Sequence, residues 1–176
     1  MEIKEIIKKY GLVLNTFEDD GKFYSTNRMQ LEQDNADDMI KSRRDEIYQY
    51  LINEKAERQK KYEDRQQKIE QIEGLKEIQD AISRKDEWNK NFQEAMEKGD
   101  GVLPGCPQDD IDNLKKEYPR AAAYLLAERE SYRDNAELAS IGKKALEDII
   151  NGMDYNIVLK RMVKEQKEFT DRHAWD

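Results

Sequence analysis

Residues 35–98 form the longest regular stretch of the chain, with no proline and a single glycine, Gly74. They are mostly Glu, Lys, Arg and Gln, straight-chain residues that lose little side-chain freedom in a helix, interspersed with Ile and Leu. Apolar side chains recur at helical spacing in two sets, one before Asn53 and one after Lys68. This pattern predicts a long charged helix over 35–98, with Asn35 suited to cap its start and Gly74 marking a break.

The middle of this helix, residues 53–68, is polar on all sides and has only Ala56 and Tyr62 as apolar side chains. Pairs such as Glu57 and Lys61 place an acid four residues before a base, an order that stabilises a helix by about 0.2–0.5 kcal/mol per pair. A helix that is polar all round is stable when it bridges two packed bodies through solvent. The sequence therefore predicts a rod between an N-terminal and a C-terminal body. Beyond the rod, a seam for a homodimer is available through Ile69, Ile72, Leu75, Ile78 and Ile82.

Residues 1–34 carry the pattern of a short helix followed by a β-hairpin. Apolar residues at helical spacing lead to Gly11, and glycine commonly closes a helix. Strand-like runs at 12–14 and 22–26 then flank the segment Asp19-Asp20-Gly21, which is the signal of a two-stranded hairpin. Since two strands alone are only marginally stable, we expect this hairpin to pack on a helix.

Residues 99–108 interrupt the helical pattern with three glycines and two prolines, which predicts a linker and a module boundary. After it, residues 109–176 contain short amphipathic segments separated by Pro119, Asn135 and Gly152, a pattern typical of a compact helical bundle. The predicted fold class is mostly α: an N-terminal helix plus β-hairpin over 1–34, a long charged helix over 35–98, and a C-terminal helical bundle over 109–176.

Charge and cysteine content restrict the environment and the partners. The 176 residues carry a net charge of −8, which disfavours general attraction to nucleic acid and favours a basic protein partner. Residues 99–154 are the most acidic part, with twelve acidic and seven basic side chains. Cys106 is the only cysteine, and neither a signal-peptide pattern nor an apolar run near 18 residues is present. We therefore expect a cytoplasmic protein that does not associate with membranes.

Residue types that could support catalysis or metal binding are sparse. His173 is the only histidine, and with Cys106 it cannot form a conventional zinc site. Asp109, Asp110 and Asp112 could hold Mg²⁺, but at the start of a helix they also oppose the macrodipole, and we prefer that interpretation. The sequence therefore predicts no catalytic residue, no metal and no cofactor, with a metal-dependent nuclease as the least favoured alternative.

Two charged surfaces are candidate binding sites. The first is the acidic region after the linker, where the candidate partner-binding residues are Asp109, Asp110, Asp112, Glu128, Glu130 and Glu137. The second is the last predicted helix, where three basic side chains share a face that could contact phosphate; its candidate residues are Lys160, Arg161, Lys164 and Lys167.

Four segments carry a resemblance: 72–78 (IEGLKEI), 118–125 (YPRAAAYL), 141–146 (IGKKAL) with Gly152, and 173–176 (HAWD). Together they resemble small accessory proteins of phages and conjugative elements of Gram-positive (Firmicutes) bacteria, a group from which anti-CRISPR proteins are drawn. The resemblance spans the last two-thirds of the chain. It implies a small acidic protein of a mobile genetic element in the cytoplasm of a bacterial host, and it assigns no role to any residue.

The leading functional hypothesis is a non-enzymatic protein that acts by protein–protein interaction. In it, the chain is an anti-CRISPR-type inhibitor whose acidic helices block the basic nucleic-acid channel of a host CRISPR effector nuclease or of its guide-RNA complex. The alternative is an accessory protein that binds nucleic acid through its basic C-terminal helix.

Overall fold

A computed structural model describes residues 1–15, 22–98 and 105–173, which fall into two compact units, 1–64 and 65–176. In chain order the elements are α1 (Ile3–Tyr10), β1 (Leu12–Leu14), β2 (Phe23–Ser25), α2 (Arg28–Gln33), α3 (Asp37–Ser42), α4 (Arg44–Glu70), α5 (Leu75–Lys98), α6 (Gln108–Glu117), α7 (Pro119–Ser131), α8 (Ala136–Ile150) and α9 (Tyr155–Arg172). The predicted fold class is confirmed: an N-terminal helix and hairpin, a long charged helix and C-terminal helices.

The first unit begins with the predicted helix and hairpin. Gly11 closes α1 in the left-handed conformation, with φ of 57°, and its N–H bonds back to the carbonyl of Ile7. The strands β1 and β2 pair antiparallel, with Val13 opposite Tyr24. The predicted turn at 19–21 lies outside the described residues. The core of this unit is built from Ile6, Tyr10, Leu12, Ala36, Ile40, Ile47 and Leu51.

A polar contact joins α1 to the end of α2, a helix that the sequence pattern did not predict. The hydroxyl of Tyr10 donates to Asp34 at 3.0 Å, and the ammonium of Lys9 lies 2.5 Å from the same carboxylate. The hydrogen bond from Lys9 holds the pKa of Asp34 below its usual range. These two contacts hold the end of α2 against the end of α1.

The prediction of one helix starting at Asn35 is wrong. Asn35 adopts a positive φ of 50°, and Ala36 precedes α3 without a side-chain cap. The short α3 ends at Ser42, and Arg43, with φ of −112° and ψ of 18°, separates it from α4. The helical run is broken again at residues 71–74, between α4 and α5, where Gly74 has a φ of 73°. A Cβ at Gly74 would lie 1.9 Å from the ring of Tyr118, so both the backbone angle and the space require glycine.

The second unit has its own core, centred on α7, α8 and α9. Small residues on α7 and α8 let these helices approach closely, and a Cβ at Gly142 would lie 2.4 Å from the backbone of Glu130 and Ser131. Asn135 and Asp154 cap α8 and α9 as their positions suggest. The buried residues of this core are Ile72, Leu75, Ile78, Ala121, Ala123, Tyr124, Ala127, Ala145, Leu146, Ile149, Ile150, Val158 and Met162.

The core of the second unit includes residues from before the predicted linker. Ile72, Leu75 and Ile78 are buried in it, and Ile69 and Ile82 pack against it. The bundle therefore extends back to α5, and the compact units divide at residues 64 and 65 instead of within 99–108. These five side chains were the predicted homodimer seam. Because they already pack within the chain, that seam is not free for a second copy. Residues 99–104 of the predicted linker lie outside the described residues.

Candidate protein-binding surface

Helix α6 presents three of the predicted acidic residues to solvent. Asp109, Asp110 and Asp112 are exposed, and no basic side chain in the described parts of the chain forms an ion pair with them. Asp112 accepts one hydrogen bond, from Nε2 of Gln108 at 2.8 Å. Asp109 and Asp110 lie in the first turn of the helix, where negative charge is favourable. Their carboxylate oxygens therefore stabilise the helix while remaining available to a partner.

A second group of carboxylates lies at the other end of α6, around Tyr118. A hydrogen bond to Glu117 raises the pKa of the Tyr118 hydroxyl, and the charges of Glu117, Glu77 and Glu73 add to this effect. The side chains of Glu73 and Glu117 also line a polar cleft of about 240 Å³ beside the Tyr118 ring. Glu77 of α5, Glu117 of α6 and Glu73 of the turn before α5 therefore surround this tyrosine.

The two groups lie along one pair of helices. Lys85, in the middle of α5, donates a hydrogen bond to Gln108 at the start of α6. Glu77, near the start of α5, lies close enough to Tyr118, at the end of α6, for its charge to raise the pKa of that hydroxyl. The helices therefore run side by side in opposite directions. We call the following residues the acidic patch: Glu73, Glu77, Asp109, Asp110, Asp112 and Glu117.

The acidic patch is negative even when its neighbouring cations are counted. Residues 73–80 and 108–117 together carry seven acidic and three basic side chains. Sequence reasoning missed Glu73, Glu77 and Glu117, because the linker prediction placed α5 and α6 in separate modules. No local signal identifies these three residues. Only the packing of Ile78 and its neighbours brings the two helices together.

Glu130, a predicted partner-binding residue, is instead buried and fully engaged. Its side chain is 3% exposed. Arg133 donates to it through Nε at 2.8 Å, Arg129 through Nη2 at 3.1 Å, and Gln166 through Nε2 at 2.8 Å. The hydrogen bonds from Arg133 and Arg129 hold the pKa of Glu130 below its usual range, against the effect of burial. Such a carboxylate cannot serve as a surface contact, because every strong acceptor position is taken.

The remaining two predicted acidic residues also have partners within the chain. Glu137 pairs with Arg172 on α9. Glu128 is half-buried and accepts a hydrogen bond from the Tyr124 hydroxyl at 3.4 Å. Burial and the charge of Glu128 raise the pKa of Tyr124 to about 12. The Glu137–Arg172 pair links α8 to α9, and the Tyr124–Glu128 bond lies within α7, so we assign both acids a structural role.

Neighbouring acids pair with two of the four candidate basic residues of α9. Arg161 is half-buried, pairs with Asp148 and has its Nε 3.6 Å from Glu165. Lys164 lies 3.7 Å from Glu168. Lys160 and Lys167 are exposed and form no ion pair with the described residues. Two free cations on one helix are a weak basis for phosphate binding, since affinity grows with the number of phosphates neutralised.

Metal binding, membrane insertion and thiol chemistry are the remaining candidate features of residues 1–15, 22–98 and 105–173. No group of three or more His, Cys, Asp and Glu side chains in these ranges has the arrangement of a metal site. None of the helices described here combines the length and apolar character that crossing a membrane requires. The Cys106 thiol is exposed.

Comparison of the chain with protein-family models, with curated proteins and with solved structures gave no match.

Proposed function

We propose that this chain is a non-enzymatic binding protein that uses the acidic patch to occupy a basic, nucleic-acid-binding surface of another protein. The observation behind this proposal is the contrast between its two charged faces. Asp109, Asp110 and Asp112 have no cationic partner among the described residues, whereas two of the four candidate cations of α9, Arg161 and Lys164, are paired. A surface with unpaired charge of one sign attracts a complementary surface, and it does so without internal ion pairs that must first be broken.

The partner that we propose is a CRISPR effector nuclease of the bacterial host, alone or with its guide RNA. Such an enzyme holds nucleic acid in a positively charged channel that recognises the backbone, so a row of carboxylates can compete for the same cations. The resemblance of segments such as 118–125 and 141–146 to mobile-element proteins supports this choice. In this proposal the chain works in the cytoplasm of the host and performs no chemical step.

Target-DNA cleavage by a panel of CRISPR effectors tests the proposal. The wild-type chain should inhibit at least one effector, and inhibition should weaken as salt is raised, because exposed charges are screened over about 10 Å at 0.1 M. The triple variant D109K/D110K/D112K should need at least about tenfold more protein for half-inhibition. The guide RNA, recovered with Mg²⁺ present, should be intact, whereas degraded RNA would favour the nuclease alternative.

The matched control is E57K/D64K/E87K, which makes the same change of charge at three exposed acids outside the acidic patch. It should inhibit as the wild type does. Unchanged cleavage across a broad panel of effectors would rule out the proposed class of partner. An equal loss of inhibition in both triple variants would rule out the acidic patch as the binding site. A gel-shift assay on the protein alone separates the alternative function. Salt-sensitive binding that is lost in K160E/K167E would assign the chain to nucleic acid instead.

A further inference from the structure

A groove lies in the first unit between β1 and α4, well away in sequence from the acidic patch. Its volume is about 560 Å³, within the range of about 300–1,000 Å³ that is usual for ligand pockets. Its apolar lining includes Ile7, Leu12, Leu14 and Leu51, and Tyr62 also contributes to it. A groove of this volume is large enough to hold several residues of a peptide.

The groove follows the edge of β1 that faces away from β2. All three residues of β1 line it, and none of β2 does, so it lies on the side of β1 opposite its partner strand. Gly11 accepts from Thr26 and Asn15 donates to Lys22, which places residues 11, 13 and 15 in the hydrogen-bonded pairs with β2. The N–H and C=O groups of Leu12 and Leu14 therefore point away from β2, and no described residue bonds to them.

The wall opposite this edge is α4, and its rim carries excess positive charge. Arg58 forms an ion pair with Glu54 at 3.1 Å, whereas the exposed Lys55 forms none with the described residues. All three side chains line the groove. The rim therefore favours an occupant with a negative charge, and the apolar base favours one with aliphatic side chains.

We propose that this groove binds an extended segment of a partner protein, which adds a third strand to β1, places alternate aliphatic side chains on Ile7 and Leu51, and directs a carboxylate to Lys55. Because Leu12 is only 3% exposed, the N–H and C=O of Leu14 supply the accessible hydrogen bonds, and the groove supplies the selection for side chains, as in other complexes formed by strand addition. This surface is independent of the acidic patch, which attracts a partner of the opposite charge.

The test uses a defined peptide, acetylated and amidated DVTVTV, titrated into the ¹⁵N-labelled full chain. The backbone amides of Leu12 and Leu14 and the residues of α4 around Lys55 should shift. KVTVTV should bind about two- to fivefold more weakly, since it places like charge at an exposed rim. Two further peptides carry N-methyl groups on the valines or on the threonines. A strand pairs through one of these sets only, so one methylated peptide should lose binding and the other should keep it.

Two variants of the protein complete the test. Leu14→Pro removes an N–H that β2 does not use, so the hairpin should persist while peptide binding is lost. Lys55→Glu should reverse the preference between DVTVTV and KVTVTV. This variant tests binding in the groove even if Leu14→Pro unfolds the unit. No shift at millimolar DVTVTV, or equal binding by both methylated peptides, would overturn the proposal. So would a concentration-dependent dimer that Leu14→Pro abolishes, because the occupant would then be a second copy.

Discussion

Gln166 donates a hydrogen bond through Nε2 to Glu130 at 2.8 Å, which joins α9 to the end of α7. Arg129 and Arg133 contact the same carboxylate from α7 and from the turn that follows it. The buried carboxylate of Glu130 therefore joins the end of α7, the turn that follows it and α9. Buried carboxylates are rare unless they are paired, so this contact is a specific feature of the second unit.

The ionised side chain of Glu130 makes the stability of the protein depend on pH in a defined way, and replacing it with an amide removes that dependence. Glu130→Gln should lower the free energy of unfolding by about 2–3 kcal/mol at pH 7, because it weakens several charge-assisted hydrogen bonds at a buried site. The arginines hold the pKa of Glu130 below its ordinary value of 4.5. The stabilisation is therefore complete above the ordinary value and disappears as pH falls through the lower folded value. Urea unfolding between pH 7 and pH 3 should show the wild type and the variant converging.

Glu137→Gln is the control for this experiment. Glu137 is exposed and pairs with Arg172 at the surface, so its loss should cost less than about 1 kcal/mol at any pH. A larger effect for Glu137 than for Glu130 would contradict the structural role assigned to the buried acid.

The close contact of α7 and α8 predicts a strong effect of a single methyl group. Gly142→Ala should lower the melting temperature by several degrees, because its Cβ would lie 2.4 Å from the backbone of Glu130 and Ser131, which cannot rotate away. Gly105→Ala should leave it unchanged within about a degree, since nothing lies within 4 Å of its Cβ. Thermal unfolding followed by circular dichroism compares the two. Equal melting temperatures would mean that the helices can separate at little cost.

The shared core of α5 and the bundle predicts which fragment folds alone. Residues 65–176 should melt cooperatively, whereas 105–176 should not. The shorter fragment lacks Ile72, Leu75 and Ile78, each buried and each contributing about 1.5–3 kcal/mol. Together these contributions approach the whole stability of a small domain, about 5–15 kcal/mol. Circular dichroism of both fragments decides the matter, and a cooperatively folded 105–176 fragment would restore the boundary predicted at 99–108.

The polar part of α4, residues 53–68, should tolerate exchanges of charged residues without loss of stability. Exchanging Glu57 and Lys61 should change the melting temperature by no more than a degree or two, since both side chains are exposed and a surface pair contributes little. A loss of several kcal/mol would show that this face is covered, for instance by a second copy of the chain. Sedimentation velocity at two protein concentrations would then show whether the chain forms a dimer that covers this face.

Local signals in the sequence predicted the elements that depend on local chemistry. Gly11 closes α1, Pro119 begins α7, and Asn135 and Asp154 cap the two helices that follow them, because each role needs only a backbone angle or a hydrogen bond to the next turn. The apolar spacing likewise predicted that these segments are amphipathic helices, but it did not identify every buried position, since Ile157 and Val163 of α9 are 62% and 58% exposed.

Contacts between distant parts of the chain decided the rest. The sequence marks Glu130 as one more acid on a charged helix, and only the approach of Gln166 and the close packing at Gly142 bury it. The acidic patch arises because Ile72, Leu75 and Ile78 join the bundle, which places the carboxylates of α5 beside those of α6. A one-dimensional pattern reports the face that a helix buries but not the partner that covers it. The choice of partner depends on side-chain volumes and on contacts far apart in sequence, so it emerges only in the folded chain.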